Sequence, residues 1–547
     1  MSPDLLLTGG PVLTRDGTPR TGLSVAVTGE RISAVGPAEE VDARRGPGTE
    51  VLDLGERLLM PGFVDAHAHP LWGGLERLAC DLLEVPRTVA SYQARLATTA
   101  RDHPQWSWIT GGGWSFEAFD GGVATAAMLD EVVADRPVVL FNRDHHGVWA
   151  SSRALSLAGV DEHTPDPRDG RIERDAQGRP SGVLHEGAAA LVTDLVPPPT
   201  EDLLDAALLD ARKRLLAWGV TAWSEAILGS YAGQPDPLPT YLRAWRENRL
   251  DVVTTGALWW DRTCGTEQIG DLLERRAAAR AVGVDLQVVK IMADGIVENQ
   301  TAAMLEDYLV AGEPSGNRGI SFVGREVMLE AVPALEAAGF SVHVHAIGDA
   351  AVRDTLDAVQ GARQASGPRS PNAVPHQIAH LQVVSEPDVA RFASLGVVAT
   401  CQALWACHEP QMDDFTVPVL GKHRARGQYP FAAIAEAGGE LALGSDWPVS
   451  SADPWQAVHV AVTRTPHDEP DADPFLPEQA LSLSAALRAG TAGSARAAGL
   501  PDLGRVQVGA RADLVVASVD PFGLPPRELS GVRSDVVVVG GRIVDGL

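Results

Sequence analysis

Apolar positions fall into short runs at both ends of the chain and alternate with helix-like stretches between them. The first sixty residues contain "DLLLTGG", "SVAVTGERISAVG" and "EVLDLGERLLMPG", strand-length runs punctuated by Gly and Asp. The end of the chain repeats that texture in "GRVQVGARADLVVASVD" and "SDVVVVGGRIVDG". Two β-rich ends around a long middle predict one accessory β-sandwich built from residues 1–60 together with 501–547. In the middle, apolar runs such as "LQVVKIMADG", "FSVHVHAIGD", "PHQIAHLQVV", "GVVAT" and "LALGSDWPVS" are separated by stretches such as "REVMLEAVPALEAAG" and "AAVRDTLDAVQGARQ". Strand, polar loop, helix, strand is the texture of βα units, and their number predicts an α/β protein with a (β/α)8 TIM-type barrel over 61–500. That span exceeds the usual barrel length of about 250 residues. An insertion after the first barrel strand, at about 75–200, accounts for the excess; it holds "WSWITGGGWSFEAFDGG" and the turn-rich "DEHTPDPRDGRIERDAQGRPSG".

Charge narrows the function classes. The chain has 547 residues and a formal net charge of −27, which argues against nucleic acid as a partner because phosphates need a basic face. The acidic surface is read as a solvated face. The four cysteines, Cys80, Cys264, Cys401 and Cys407, form no CxxC pair, which disfavours both a disulfide scaffold and a thiolate zinc site. The N-terminal stretch lacks a basic segment followed by a long apolar one, and no run of about 18 uncharged apolar residues occurs. A cytoplasmic protein with a small-molecule substrate, no membrane partner and a homodimeric assembly is the expectation.

Candidate chemistry lies at the ends of the predicted barrel strands, where such barrels carry their active sites. In "DAHAHP", His67 and His69 stand one residue apart and share a strand face, so both imidazoles aim at one spot. Converging imidazoles suggest a metal. Further along, Lys290 is flanked by apolar residues, His345 ends one run, His380 lies in another, and Asp446 ends a third.

The ordered series His-x-His, Lys, His, His, Asp resembles the amidohydrolase superfamily. The local context of "PGFVDAHAHP", "VKIMADGIVENQTAAML", "HAIGDAA", "AHLQVV" and "GSDWPVS" is similar to its YtcJ-like (amidohydrolase 3) branch, which includes N-substituted formamide deformylases. The resemblance covers nearly the whole chain. It implies a divalent metal, best zinc, one or two per chain. His67, His69 and Asp446 would hold the deeper ion, and His345 and His380 the second. It also implies that Lys290 is carboxylated and bridges the two, that a metal-activated hydroxide attacks, and that Asp446 moves the proton as general base and then acid. The implied reaction is cleavage of a C–N bond in an amide, N-substituted formamide, carbamate or cyclic amide. A deaminase, another hydrolase or a decarboxylase of the superfamily is the enzymatic alternative. A catalytically silent metal-binding scaffold is the alternative of another class.

Rivals stand beside several of these positions. His343 shares the strand face of His345, His376 precedes His380, and Asp349 and Asp453 are rivals of Asp446. Family context favours His345, His380 and Asp446. Many relatives carry an acidic residue where this chain has Ala379, which puts the strength of the second metal site in question. Expected substrate contacts are His146 of "DHHGVWASSRAL", Trp114 and Asp294; Glu186 of "SGVLHEGA" is read as structural.

Overall fold

A computed structural model describes residues 2–544 of the chain. Eight parallel strands pair in sequence order: β1 Phe63–Ala68, β2 Val220–Leu228, β3 Val253–Trp259, β4 Val288–Met292, β5 Ser341–Ala346, β6 Gln377–His380, β7 Val398–Cys401 and β8 Glu440–Leu443. Nearly every residue in them is buried, as expected of parallel strands covered on both faces. Helices such as Ile269–Arg280, Arg325–Ala337, Asp349–Ser366 and Glu386–Leu395 carry the chain back along the outside. They pack Leu272, Met328, Leu335, Leu356 and Phe392 onto the strands in one continuous core.

The sheet closes without a β8–β1 ladder. Instead the Asp446 N–H donates to the His67 carbonyl at 2.8 Å. The Asp65 carboxylate accepts both the Ser445 N–H at 3.0 Å and the Ser445 hydroxyl at 2.5 Å. Gly444 makes the approach possible, since a Cβ there would stand 2.5 Å from the Cβ of His67. Closure and site assembly are therefore one event: the contact that seals the barrel sets Asp446 against the two histidines of the first strand.

Both termini build the accessory β-structure. A four-stranded sheet uses N-terminal segments alone, in the order Arg31–Pro37, Leu23–Thr28, Leu5–Thr8 and Glu50–Asp53. A six-stranded sheet joins three strands from the C-terminal end to three from the N-terminal end. Its order is Arg542–Ile543, Ser534–Val539, Leu514–Ala517, Leu59–Pro61, Val12–Leu13 and Pro19–Arg20. Between β1 and β2 the chain makes a six-stranded sheet from Cys80–Asp81 to Pro180–Glu186 before the helix Glu201–Ala217 returns it to the barrel. This inserted layer has its own core around Trp114, Phe119, Leu140 and Trp149, and its loop 143–146 lies over the barrel mouth.

Candidate metal centre

Strand register places the centre. Lys290 of β4 lies level with His343 of β5, Met292 with His345, and Ala346 with His380 of β6. His67 is the penultimate residue of β1, whereas His69 lies one residue past the strand and precedes the helix Pro70–Arg77. Their Nε2 atoms nevertheless converge, at 3.2 Å and 3.1 Å, on the same oxygen of Asp446. Lys290 Nζ is 3.5 Å from His67 Nε2. The ring of His380 lies 4.9 Å from that of His67 and 4.4 Å from that of His345. Ligand atoms of His67, His380 and Asp446 all fall within 4.8 Å of one another. The six residues expected from the sequence thus share one buried cluster.

The cluster has the character of a metal site. Both ring nitrogens of His380 are buried without a hydrogen-bond partner, and so is His69 Nδ1. A buried imidazole with neither nitrogen satisfied is costly unless a further ligand takes one of them. Burial, aided by the neighbouring Lys290, holds His67 down at about 3. It likewise keeps His343, His345 and His380 well below their ordinary value. These imidazoles are therefore neutral, with a free lone pair. Burial alone would raise Asp446, but His67 and His69 overcome it and keep it ionised. Neutral nitrogens and a carboxylate oxygen suit a divalent ion of the zinc type. For His69 burial disfavours the charge, yet Asp446 and Glu225 on either side outweigh it and raise its pKa. Backbone conformation adds to the picture: His380 at φ 78° and Asp446 at φ 57° are non-glycine residues in the left-handed region. Such conformations cost on the order of 1–3 kcal/mol each and collect at functional sites.

Two residues outside the expected set orient the β1 histidines. His343 Nε2 lies 2.8 Å from His67 Nδ1. Glu225, fully buried on β2, lies 3.5 Å from His69 Nδ1 and accepts the Tyr241 hydroxyl at 3.1 Å. His343 occupies Nδ1 of His67 and Glu225 faces Nδ1 of His69, so both histidines turn Nε2 toward Asp446. The signal for Glu225 was present as one carboxylate inside the apolar run "TAWSEAIL". His343 was visible only as a rival to His345. Glu225→Gln is expected to weaken metal affinity about 10- to 100-fold with the fold intact. Titration of the metal-free protein checks this, and wild-type affinity in the variant would remove Glu225 from the site.

The other rivals have structural duties. His376 lies 2.9 Å from Glu336 and accepts the Val342 N–H at 3.1 Å. Asp349 accepts the Leu305 N–H, and Asp453 caps the helix Pro454–Thr463 through the Trp455 N–H.

A cavity of about 960 Å³, counted to its open mouth, stands over the cluster. Trp72, Tyr231, Met292, Ile296, Trp405 and Met412 give it apolar walls. Trp72 stacks on His69, with centroids 4.9 Å apart and planes at 9°, and Trp405 stacks on His380 at 5.3 Å and 4°. His146 lines the cavity, its ring 5.4 Å from that of His345. Burial disfavours its charged form, but Glu186 beside it outweighs that effect and raises it to about 9.

Two expected substrate contacts lie elsewhere. Trp114 is fully buried in the inserted layer, where its indole N–H donates to the Leu140 carbonyl at 2.9 Å and its ring meets Phe119 and Trp149 edge-on. It belongs to that core because it ends a central strand, Ile109–Trp114, whose glycine neighbours offer nothing else to pack. Asp294 is also fully buried. Its carboxylate accepts the N–H groups of Ile347 at 3.0 Å, Gly348 at 2.8 Å and Ala303 at 2.9 Å. It ties the loop after β4 to the loop after β5 and lies behind His345, with Oδ1 3.7 Å from His345 Nε2, without lining the cavity.

Known proteins match this arrangement. The curated relatives include "Protein LONG AFTER FAR-RED 3" of Arabidopsis thaliana, 31% identical over 95% of this chain and 88% of its own length. The "Putative amidohydrolase YtcJ" of Bacillus subtilis (strain 168) is 28% identical over 94% of each chain. The "N-substituted formamide deformylase" of Arthrobacter pascens is 25% identical over 96% of this chain and 95% of that one. Among solved structures, an uncharacterized metal-dependent hydrolase from Pyrococcus furiosus shares the fold. Its TM-score is 0.71 at 23% identity, covering 95% of this chain and 99% of the other. Residues 50–545 match the amidohydrolase family, and this chain belongs to it, in its YtcJ-like branch.

Proposed function

We propose that the chain hydrolyses a C–N bond in an amide, N-substituted formamide, carbamate or cyclic amide. In this reading His67, His69, Lys290, His345, His380 and Asp446 hold one or two divalent metals, best zinc. The observation that carries it is Lys290. Its side chain is 1% exposed, ends 3.5 Å from His67 Nε2, and is brought by burial down to about 7 although Asp446 opposes the shift. An amine that is substantially neutral at pH 7 adds carbon dioxide: Nζ bonds the carbon, one proton leaves, and an anionic carbamate with two donor oxygens results. A bound divalent ion supplies Lewis acidity and lowers the pKa of water.

The chain's own residues do the rest. Asp446 accepts the proton of the attacking water at its Oδ2 and returns it to the leaving nitrogen. The stacked Trp72 and Trp405 exclude water beside the histidines, and the apolar walls take an uncharged N-substituent. The 25% identity to N-substituted formamide deformylase supports this substrate class.

The test is a screen of N-formyl amines, N-acyl amines and cyclic amides against zinc-loaded protein, with amine release as readout. Turnover that a chelator removes and zinc restores supports the proposal. Ammonia release from amino-heterocycles with no amide turnover would favour the deaminase alternative.

A further inference from the structure

The inserted layer lines the cavity with its segment 143–146, and within it His146 is held by a side-chain pair. His146 Nδ1 lies 2.9 Å and 3.1 Å from the two carboxylate oxygens of Glu186. Glu186 is itself held from the barrel, since Thr301 on the loop after β4 donates its hydroxyl to Oε1 at 2.9 Å. The backbone is fixed as tightly. The Glu186 N–H donates to the His146 carbonyl at 2.8 Å, and the His146 N–H donates to the Asp144 carboxylate at 2.9 Å. His145 at φ 63° and Glu186 at φ 51° are two further non-glycine residues in the left-handed region, one beside and one within the pair. Strain, burial and four convergent contacts are more than a surface loop needs. They hold one imidazole with Nδ1 occupied, on the wall of the cavity and against the ring of His345.

We propose that His146, oriented by Glu186, is the group by which the inserted layer binds the scissile amide of an uncharged substrate and sets its plane over the metal ligands. The proposal rests on the metal-hydrolase reading above. With Glu186 engaged at Nδ1, the edge of the ring left for a ligand is Nε2, which hydrogen-bonds an amide. The apolar walls beside it, Trp72, Tyr231, Ile296 and Trp405, suit an uncharged substrate. The role is substrate orientation; a purely structural role would make the pair an anchor between insert and barrel.

Two probes separate these roles in the zinc-loaded full-length chain. Acetohydroxamate presents a planar N–C=O group together with a metal-binding oxygen, whereas azide engages the metal alone. Calorimetric titration is carried out on wild type, His146→Ala and Glu186→Gln, with metal content measured for each. The expected result is acetohydroxamate binding weakened about tenfold or more in His146→Ala. Glu186→Gln should show a smaller loss in the same direction, while azide affinity and metal content stay at wild-type values. Unchanged acetohydroxamate affinity in both variants overturns the proposal and leaves the pair as an anchor. Parallel loss of azide binding or of metal also overturns it, because the pair would then act on the ligands rather than on the amide. A wild-type chain that takes up no metal refutes the hydrolase reading itself, and metal content distinguishes that failure from the others.

Discussion

Lys290→Ala should carry roughly one divalent metal per chain or less, against an expected two in wild type, and its turnover should fall by about 10³-fold or more. The fall follows from losing several kcal/mol of electrostatic stabilisation at the reacting centre. The substitution removes the only side chain on β4 able to become an anionic ligand. Lys290 lies level with His343 and beside His67 in the barrel's most buried layer. The barrel should survive, because the change also removes an ammonium that burial already disfavours. Elemental analysis of the two proteins side by side decides the matter. About one metal in both would remove the bridging role and move single-metal deaminase chemistry forward.

Asp294→Ala is the second large effect, and it acts on stability. The carboxylate satisfies three buried backbone N–H groups in two loops. Alanine would strand all three, at about 1–3 kcal/mol for each buried donor left unpaired. A loss of at least about 3 kcal/mol is expected, seen as a Tm several degrees lower by calorimetry. Asp294→Asn, which keeps an acceptor, should lose less. Because Ile347 and Gly348 directly follow the β5 strand that carries His345, metal affinity should fall with stability. A wild-type Tm in the alanine variant would contradict the bracing role.

How far this site was legible in sequence depended on how local its chemistry is. His67 and His69 were readable because two histidines flanking a strand end face one point whatever surrounds them. Lys290 was readable because a lone cation inside "VVKIM" has no ordinary reason to be there. Trp114 was misjudged: a tryptophan near a glycine-rich loop reads the same whether it lines a cavity or fills a core. Only the inserted sheet, with Phe119 and Trp149 behind it, makes the difference. Asp294 was misjudged for a related reason. Proximity to Lys290 in sequence says nothing about the three N–H groups that the loop after β5 brings to its carboxylate.

The alternation of strand and helix, the β-rich ends and the ordered donors were set by local pattern, since side-chain periodicity and residue chemistry act over a few positions. Partnership was not. Glu225 behind His69, His343 behind His67 and Glu186 behind His146 join residues 40 to 276 positions apart. No periodicity encodes such pairs. The first two exist because eight strands pair in register around the barrel, and the third because the segments Gly147–Ala150 and Pro180–Glu186 pair in the inserted sheet. The choice of donors was thus written in the chain, while their orientation was decided by packing at long range, where each buried polar atom must find whichever partner the closed barrel brings to it.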